Sequence, residues 1–146
     1  MDYMHLALEE AQIAAAEGEI PVGAVLVKDG KVIASAHNRR ENDHDPTAHA
    51  ELLCMRQAAR LLGDWRLRGC TLYVTLEPCP MCAGAMVMSQ LSECVFGAAD
   101  EKQGCCGSVY DLPADPALGS ATRWQSGVMA EECGKMMRDF FAKRRD

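Results

Sequence analysis

Apolar residues recur along the chain with two different periods, and the switches between them predict the elements. Met4, Ala7, Leu8, Ala11, Ala14 and Ala15 fall at the three- and four-residue spacings of one helical face, which closes at Gly18. PVGAVLVKDGKVIASA then reads as two β-branched runs joined by Asp29-Gly30, a dipeptide that tolerates the positive φ angles of a tight hairpin. Residues 37–47 are polar and predict a loop ending in a helix start signal, with Asp45 or Thr47 as cap and Pro46 early in the turn. That helix should run to about Leu62, with Ala48, Leu52, Met55, Ala59 and Leu62 on its apolar side and Gly63 after it.

CTLYVTL, residues 70–76, is a strand by composition, and Pro78 and Pro80 forbid its continuation. A second helix is expected there through MCAGAMVMSQ, then a short strand around Cys94, Val95 and Phe96 and a glycine-bearing loop, GAADEKQGCCGS. Residues 122–126 are a candidate last strand, and the tail from about Met129 carries Cys133, Met136, Met137, Phe140 and Phe141 at helical spacing. Helices alternating with strands around one hairpin predict an α/β fold with a mixed sheet between helices. With no repeat or linker, residues 1–146 read as a single domain.

Composition narrows the class. Hydrophobic residues at 49% and charged residues at 25% are ordinary globular usage, which excludes disorder. No apolar run approaches the roughly 18 residues of a membrane helix, and the acidic start argues against a signal peptide, so a cytoplasmic protein is expected. In that compartment the eight cysteines should stay reduced, which favours metal ligands and buried thiols over disulfides. A net charge of −6 argues against a nonspecific nucleic-acid coat, but leaves room for a local basic patch. The tail KMMRDFFAKRRD is such a patch; a solvated helix end is the alternative.

DPTAHAELL sets His49 and Glu51 two residues apart at a helix start, and EPCPMC sets Cys79 and Cys82 three apart at another. Alone, His49 could be a buried polar residue, and the cysteines a redox pair or half of a structural zinc site. Together, one His and two Cys can ligate a single zinc and leave its fourth position open, as catalytic sites do. One of Cys54, Cys70, Cys94, Cys105, Cys106 or Cys133 as a fourth ligand would instead make the site structural. Glu51 is poorly placed to share the metal with His49 and better placed to move a proton of the activated water. The order H-x-E, then P-C-x-x-C, is the signature of zinc-dependent nucleobase deaminases.

At these residues the chain resembles the bacterial tRNA-specific adenosine deaminases of the cytidine/deoxycytidylate deaminase-like superfamily. IPVGAVLV, Asn38-Arg39, HDPTAHAE, TLYVTLEPC, MCAGAM, FGA with Asp100 and Lys102, Gly107-Ser108 and the DFF to RR ending follow that family in order. The resemblance implies a three-layer α/β/α fold, a five-stranded mixed sheet with helices on both faces, and a homodimer. It also implies hydrolytic conversion of the wobble adenosine of a tRNA anticodon stem-loop to inosine, with release of ammonia, by a zinc-bound hydroxide. His49, Cys79 and Cys82 would hold one Zn2+ per subunit and Glu51 would shuttle the proton. Asn38 would bind the flipped-out base, and Asp100, Phe140, Phe141, Arg144 and Arg145 would contact the RNA. Ala99 stands where arginine is more usual, and Cys105 and Cys106 where small residues are. A free-base or nucleoside deaminase shares the signature and remains the alternative; a non-catalytic RNA-binding subunit would have no use for Glu51.

Overall fold

The computed structural model describes residues 2–144. Its elements run α1 (Tyr3–Ala16), β1 (Gly23–Lys28), β2 (Lys31–His37), α2 (Ala50–Leu62), β3 (Cys70–Leu76), α3 (Pro80–Met88), β4 (Glu93–Ala98), a 3-10 turn at Pro116–Leu118, β5 (Arg123–Gln125) and α4 (Ala130–Arg144). The strands form one sheet in the order β2-β1-β3-β4-β5. The first three neighbours are antiparallel and the last three parallel, the mixed five-stranded sheet expected. Asp29 and Gly30 both take positive φ, 51° and 73°, as the hairpin turn requires.

Strand alternation separates the two helical layers. Leu72 and Val74 of β3 and Cys94 and Phe96 of β4 face the larger core, shared with Cys54, Met55 and Ala58 of α2 and Ala83 and Met86 of α3. Tyr73 and Val95 face the other way, toward Met4, Ala7 and Leu8 of α1 and Cys133 of α4. α1 lies directly on β1, because a side chain at Gly23 would collide with the Ala7 carbonyl and the Ala11 amide.

Three details depart from the sequence pattern. α2 begins later than Asp45 or Thr47: the Asp45 carboxylate accepts from the Thr47 amide (2.8 Å) and hydroxyl (2.7 Å) in a separate turn, and His49 is the cap. The helix is also rotated. Ala50, Glu51, Cys54, Met55 and Ala58 are the buried set, while Leu52, Ala59 and Leu62 are only partly covered, because the inward face must carry Glu51. α3 stops at Met88 instead of running through Gln90, which takes a positive φ of 60°.

The topology gathers the loops at one edge of the sheet. The end of β2, the ends of β3 and β4 and the approach to β1 all open there, beside the starts of α2 and α3. In sheets of this kind ligands bind at the carboxyl ends of strands.

Candidate active site

His49 and Cys79 are the caps of α2 and α3, and neither uses its side chain to cap. Both are therefore free to face the gap between the two helix starts. His49 Nδ1 lies 3.6 Å from Cys79 Sγ and 3.6 Å from Cys82 Sγ. All three donor atoms lie within 4.8 Å of one another. Bonds of about 2.3 Å to sulfur and about 2.0 Å to nitrogen, at tetrahedral angles, place such donors about 3.6 Å apart, so the set fits zinc. The hydrogen bond with Cys82, and then His49, draw the Cys79 thiol down to about 4 against the effect of burial, so this donor is a thiolate at neutral pH. Two helix N-termini add positive potential at the same point. The Cys79 thiolate in turn raises the His49 pKa.

Glu51 is 4% exposed, in the first turn of α2 and beside these donors. Burial, with the Cys79 charge adding to it, pushes its pKa up to about 7. A carboxyl poised near neutrality can both take and return a proton at working pH.

The site forms the floor of a cavity of about 550 Å³, a size suited to a small ligand such as a nucleobase. Asn38, His49, Glu51, Cys79, Asp100 and Phe141, all named from the sequence, line it together, while Cys82 lies fully buried behind the floor. Ile20, Val22, Leu76, Ala98 and Met137 supply apolar wall. The two phenylalanines part company. Phe141, 42% exposed, reaches the cavity, whereas Phe140 turns to the groove between α1 and α4 because consecutive helical residues diverge by about 100°. Arg144 is likewise not in the cavity wall. Its guanidinium donates to the Gly18 carbonyl and lies over the Phe140 ring at 4.6 Å. Arg145 lies outside the described residues.

Two buried carboxylates that the motifs did not reveal hold the walls. Glu77, 2% exposed, accepts from the amides of Asp100 (3.0 Å), Cys106 (3.0 Å) and Ser108 (3.1 Å) and from the Ser108 hydroxyl. The loop fits around it only because residue 104 is glycine, since any Cβ there would overlap the Glu77 carboxyl. Glu19, fully buried, accepts from the Glu41 amide (3.1 Å) and from the Asn42 amide (2.7 Å) and side chain (2.6 Å), fixing the loop that carries Asn38 toward His49. Their signal in sequence was only an acidic residue beside proline-bearing turns, Glu19-Ile20-Pro21 and Glu77-Pro78. Arg40 and Arg138 also line the cavity. Arg138 could have been found from its i, i+3 spacing to Phe141.

Residues 1–98 match the family model of the cytidine and deoxycytidylate deaminase zinc-binding region. The tRNA-specific adenosine deaminase of Bacillus subtilis is 50% identical over 143 residues, covering 98% of this chain and 89% of that protein. The one of Aquifex aeolicus is 43% identical over 99% of the chain and 95% of its own length. A structure from a study of A-to-I editing by tRNA:A34 deaminases at the wobble position of transfer RNA superimposes with a TM-score of 0.89 at 42% identity, covering 92% of this chain and 97% of that one. A guanine deaminase from Bacillus subtilis gives a TM-score of 0.63 at 32% identity, covering 99% and 92%. The match of the zinc-binding region to residues 1–98, which carry His49, Cys79 and Cys82, and the 43–50% identity over nearly the whole length place this chain in the cytidine and deoxycytidylate deaminase superfamily, in the family of tRNA-specific adenosine deaminases.

Proposed function

We propose that the protein hydrolyses the wobble adenosine of a tRNA anticodon to inosine, releasing ammonia. The observation that carries this is the buried Glu51 beside the His49, Cys79 and Cys82 donors on the floor of a base-sized cavity; the tRNA deaminases at up to 50% identity supply the substrate. His49, Cys79 and Cys82 would hold one zinc ion per chain, and three protein ligands suit a catalytic ion. When bound, the ion acidifies a water to a pKa of about 7 and so makes a nucleophile available at neutral pH. Glu51 would take a proton from the attacking water and deliver it to the ring nitrogen next to C6, then take the proton of the new C6 hydroxyl and pass it to the exocyclic amine as the C6–N bond breaks and the C6 carbonyl forms. Water enters and ammonia leaves, so the exchange at C6 balances without a redox step.

The target base must leave its stack to reach this floor, which suits a loop better than a duplex. Asn38 offers an amide donor and acceptor to orient the base. The apolar wall excludes bulk water, and Phe141 and Asp100 meet the neighbouring nucleotides. Arg144 and Phe140 meet RNA outside the cavity, and Arg145 is a further RNA contact. The protein acts as a cytoplasmic homodimer; the exposed Leu61 and Met88, at 66% and 75% on adjacent helices α2 and α3, give a second copy an apolar surface to cover. Residues 1–146 form a single deaminase domain.

The test uses zinc-loaded protein with an anticodon stem-loop bearing adenosine at the wobble position, alongside free adenosine, guanine and cytidine, with products identified by mass spectrometry. Inosine from the stem-loop alone is expected. Turnover of a free base with the stem-loop untouched would move the protein to the nucleobase deaminases.

A further inference from the structure

The cavity has an acidic floor and, at its mouth, cations that the reaction does not use. Arg40 enters from the loop between β2 and α2, and Arg138 from α4; both are exposed and both line the same cavity as His49 and Glu51. Of the other cations of these two elements, Lys143 lines the separate groove beside α1 and Arg144 donates to the Gly18 carbonyl. Arg39 pairs with Glu17 (3.2 Å) and Asp43 (3.0 Å), and Lys135 with Asp139 (2.7 Å). Among the described residues neither Arg40 nor Arg138 has an ion-pair partner.

The setting of Arg138 is built into the helix. Gly134, Met137, Arg138 and Phe141 fall at i, i+3, i+4 and i+7 and form the face of α4 that lines the cavity. A Cβ at Gly134 would lie 3.0 Å from Arg138 Nη1, so the glycine leaves room for the guanidinium to lie back along the helix. The third wall is the 99–103 segment, where Asp100 and Glu101 bring negative charge and Lys102 positive. The Asp100 carboxylate is turned onto its own loop, accepting from the amides of Lys102 (3.0 Å) and Gln103 (3.2 Å). Two arginines from different elements, neither ion-paired among the described residues, thus line one cavity in a chain whose net charge is −6.

We infer that Arg40 and Arg138 form a phosphate clamp, gripping RNA phosphodiesters that flank the nucleotide turned into the cavity. This rests on the RNA-editing function proposed above. A guanidinium suits the role because its planar fork meets phosphate oxygens two at a time. A free base, which carries no phosphate, has nothing for the clamp to hold.

The experiment measures kcat and KM for the stem-loop at salt concentrations from 50 to 200 mM, with wild type, Arg40→Ala, Arg138→Ala, the double variant and Arg138→Lys. Each phosphate no longer gripped should flatten the slope of log kcat/KM against log salt by about 0.7–0.9. Over that fourfold range the double variant should therefore lose about 7–12-fold less of its kcat/KM than wild type does. The loss at low salt should sit in KM, with kcat little changed, and Arg138→Lys should restore most of the slope because it keeps a point charge. A double variant with the wild-type slope, or a fall confined to kcat, would overturn the clamp while wild-type inosine formation leaves the editing function standing. A wild type that does not edit the stem-loop would overturn both.

Discussion

Replacing Glu19 by Gln changes one atom of a buried carboxylate and tests how the loop bearing Asn38 and Arg40 is held. One oxygen takes the Glu41 amide and the other takes the Asn42 amide and side chain. The glutamine can keep its carbonyl on Asn42 only by turning its NH2 toward the Glu41 N–H, so one donor is left facing a donor, at about 1–3 kcal/mol. The two surviving bonds lose their charge assistance, about 0.5–1 kcal/mol each. Relief from burying a charge offsets part of this, leaving a net loss of about 2 kcal/mol at pH 7. For a chain of this length that is a fall in Tm of roughly 4–8 °C. The hydrogen bonds from Asn42 and Glu41 outweigh burial and hold the Glu19 carboxyl below the usual carboxylate range. A carboxylate depressed in this way contributes stability that is full above the unfolded-state value and is lost as pH falls through the folded one. Thermal melts of zinc-saturated wild type and Glu19→Gln from pH 7 downward should therefore show a gap that is constant above the ordinary glutamate pKa of about 4.3 and closes as the pH falls below it. A variant within 0.5 kcal/mol of wild type at pH 7, or a gap that persists unchanged into acid, would refute the reasoning; the figure is about the scatter of neutral surface substitutions.

Other perturbations probe other links. Glu77→Gln should loosen the 100–108 loop, raising KM for the stem-loop several-fold and speeding proteolysis within it, and Glu77→Asp should not rescue because the shorter arm cannot reach four donors; an unchanged KM would contradict this. Gly23→Ala should cost about 3 kcal/mol in denaturant unfolding, since α1 must move off β1, and a cost under about 1 kcal/mol would show that the packing there is slack. Chelation should abolish deamination and lower Tm, with both restored by zinc; activity that survives complete metal removal, checked by elemental analysis, would contradict the site's chemistry.

Much of this was legible because the signals were local. The hairpin follows from Asp29-Gly30, β3 from CTLYVTL and its proline stop, and the donor set from residues fixed at two helix starts. Periodicity failed where a functional residue took a core position. α2 gives part of its inward face to Glu51, so the purely apolar stripe drawn through Leu52 and Leu62 was rotated from the buried one. The cap of α2 was misplaced because Asp45 and Thr47 satisfy each other before the helix begins. The partners of Glu19 and Glu77 lie more than 20 residues away in sequence, and no local pattern encodes such pairings. The basic tail read as one patch, yet the fold divides it: Arg138 and Phe141 look into the cavity, while Phe140 and Arg144 pack toward α1.

In the proposed chemistry Glu51 moves protons for a metal held by other residues. The most direct measurement pairs zinc content with inosine formation for wild type and Glu51→Ala. One zinc per chain is expected in both, with an unchanged far-UV spectrum and turnover in the variant lower by at least about 10²–10⁴-fold. Zinc lost together with activity would make Glu51 a ligand or a structural support, and turnover retained within tenfold would remove it from the chemistry.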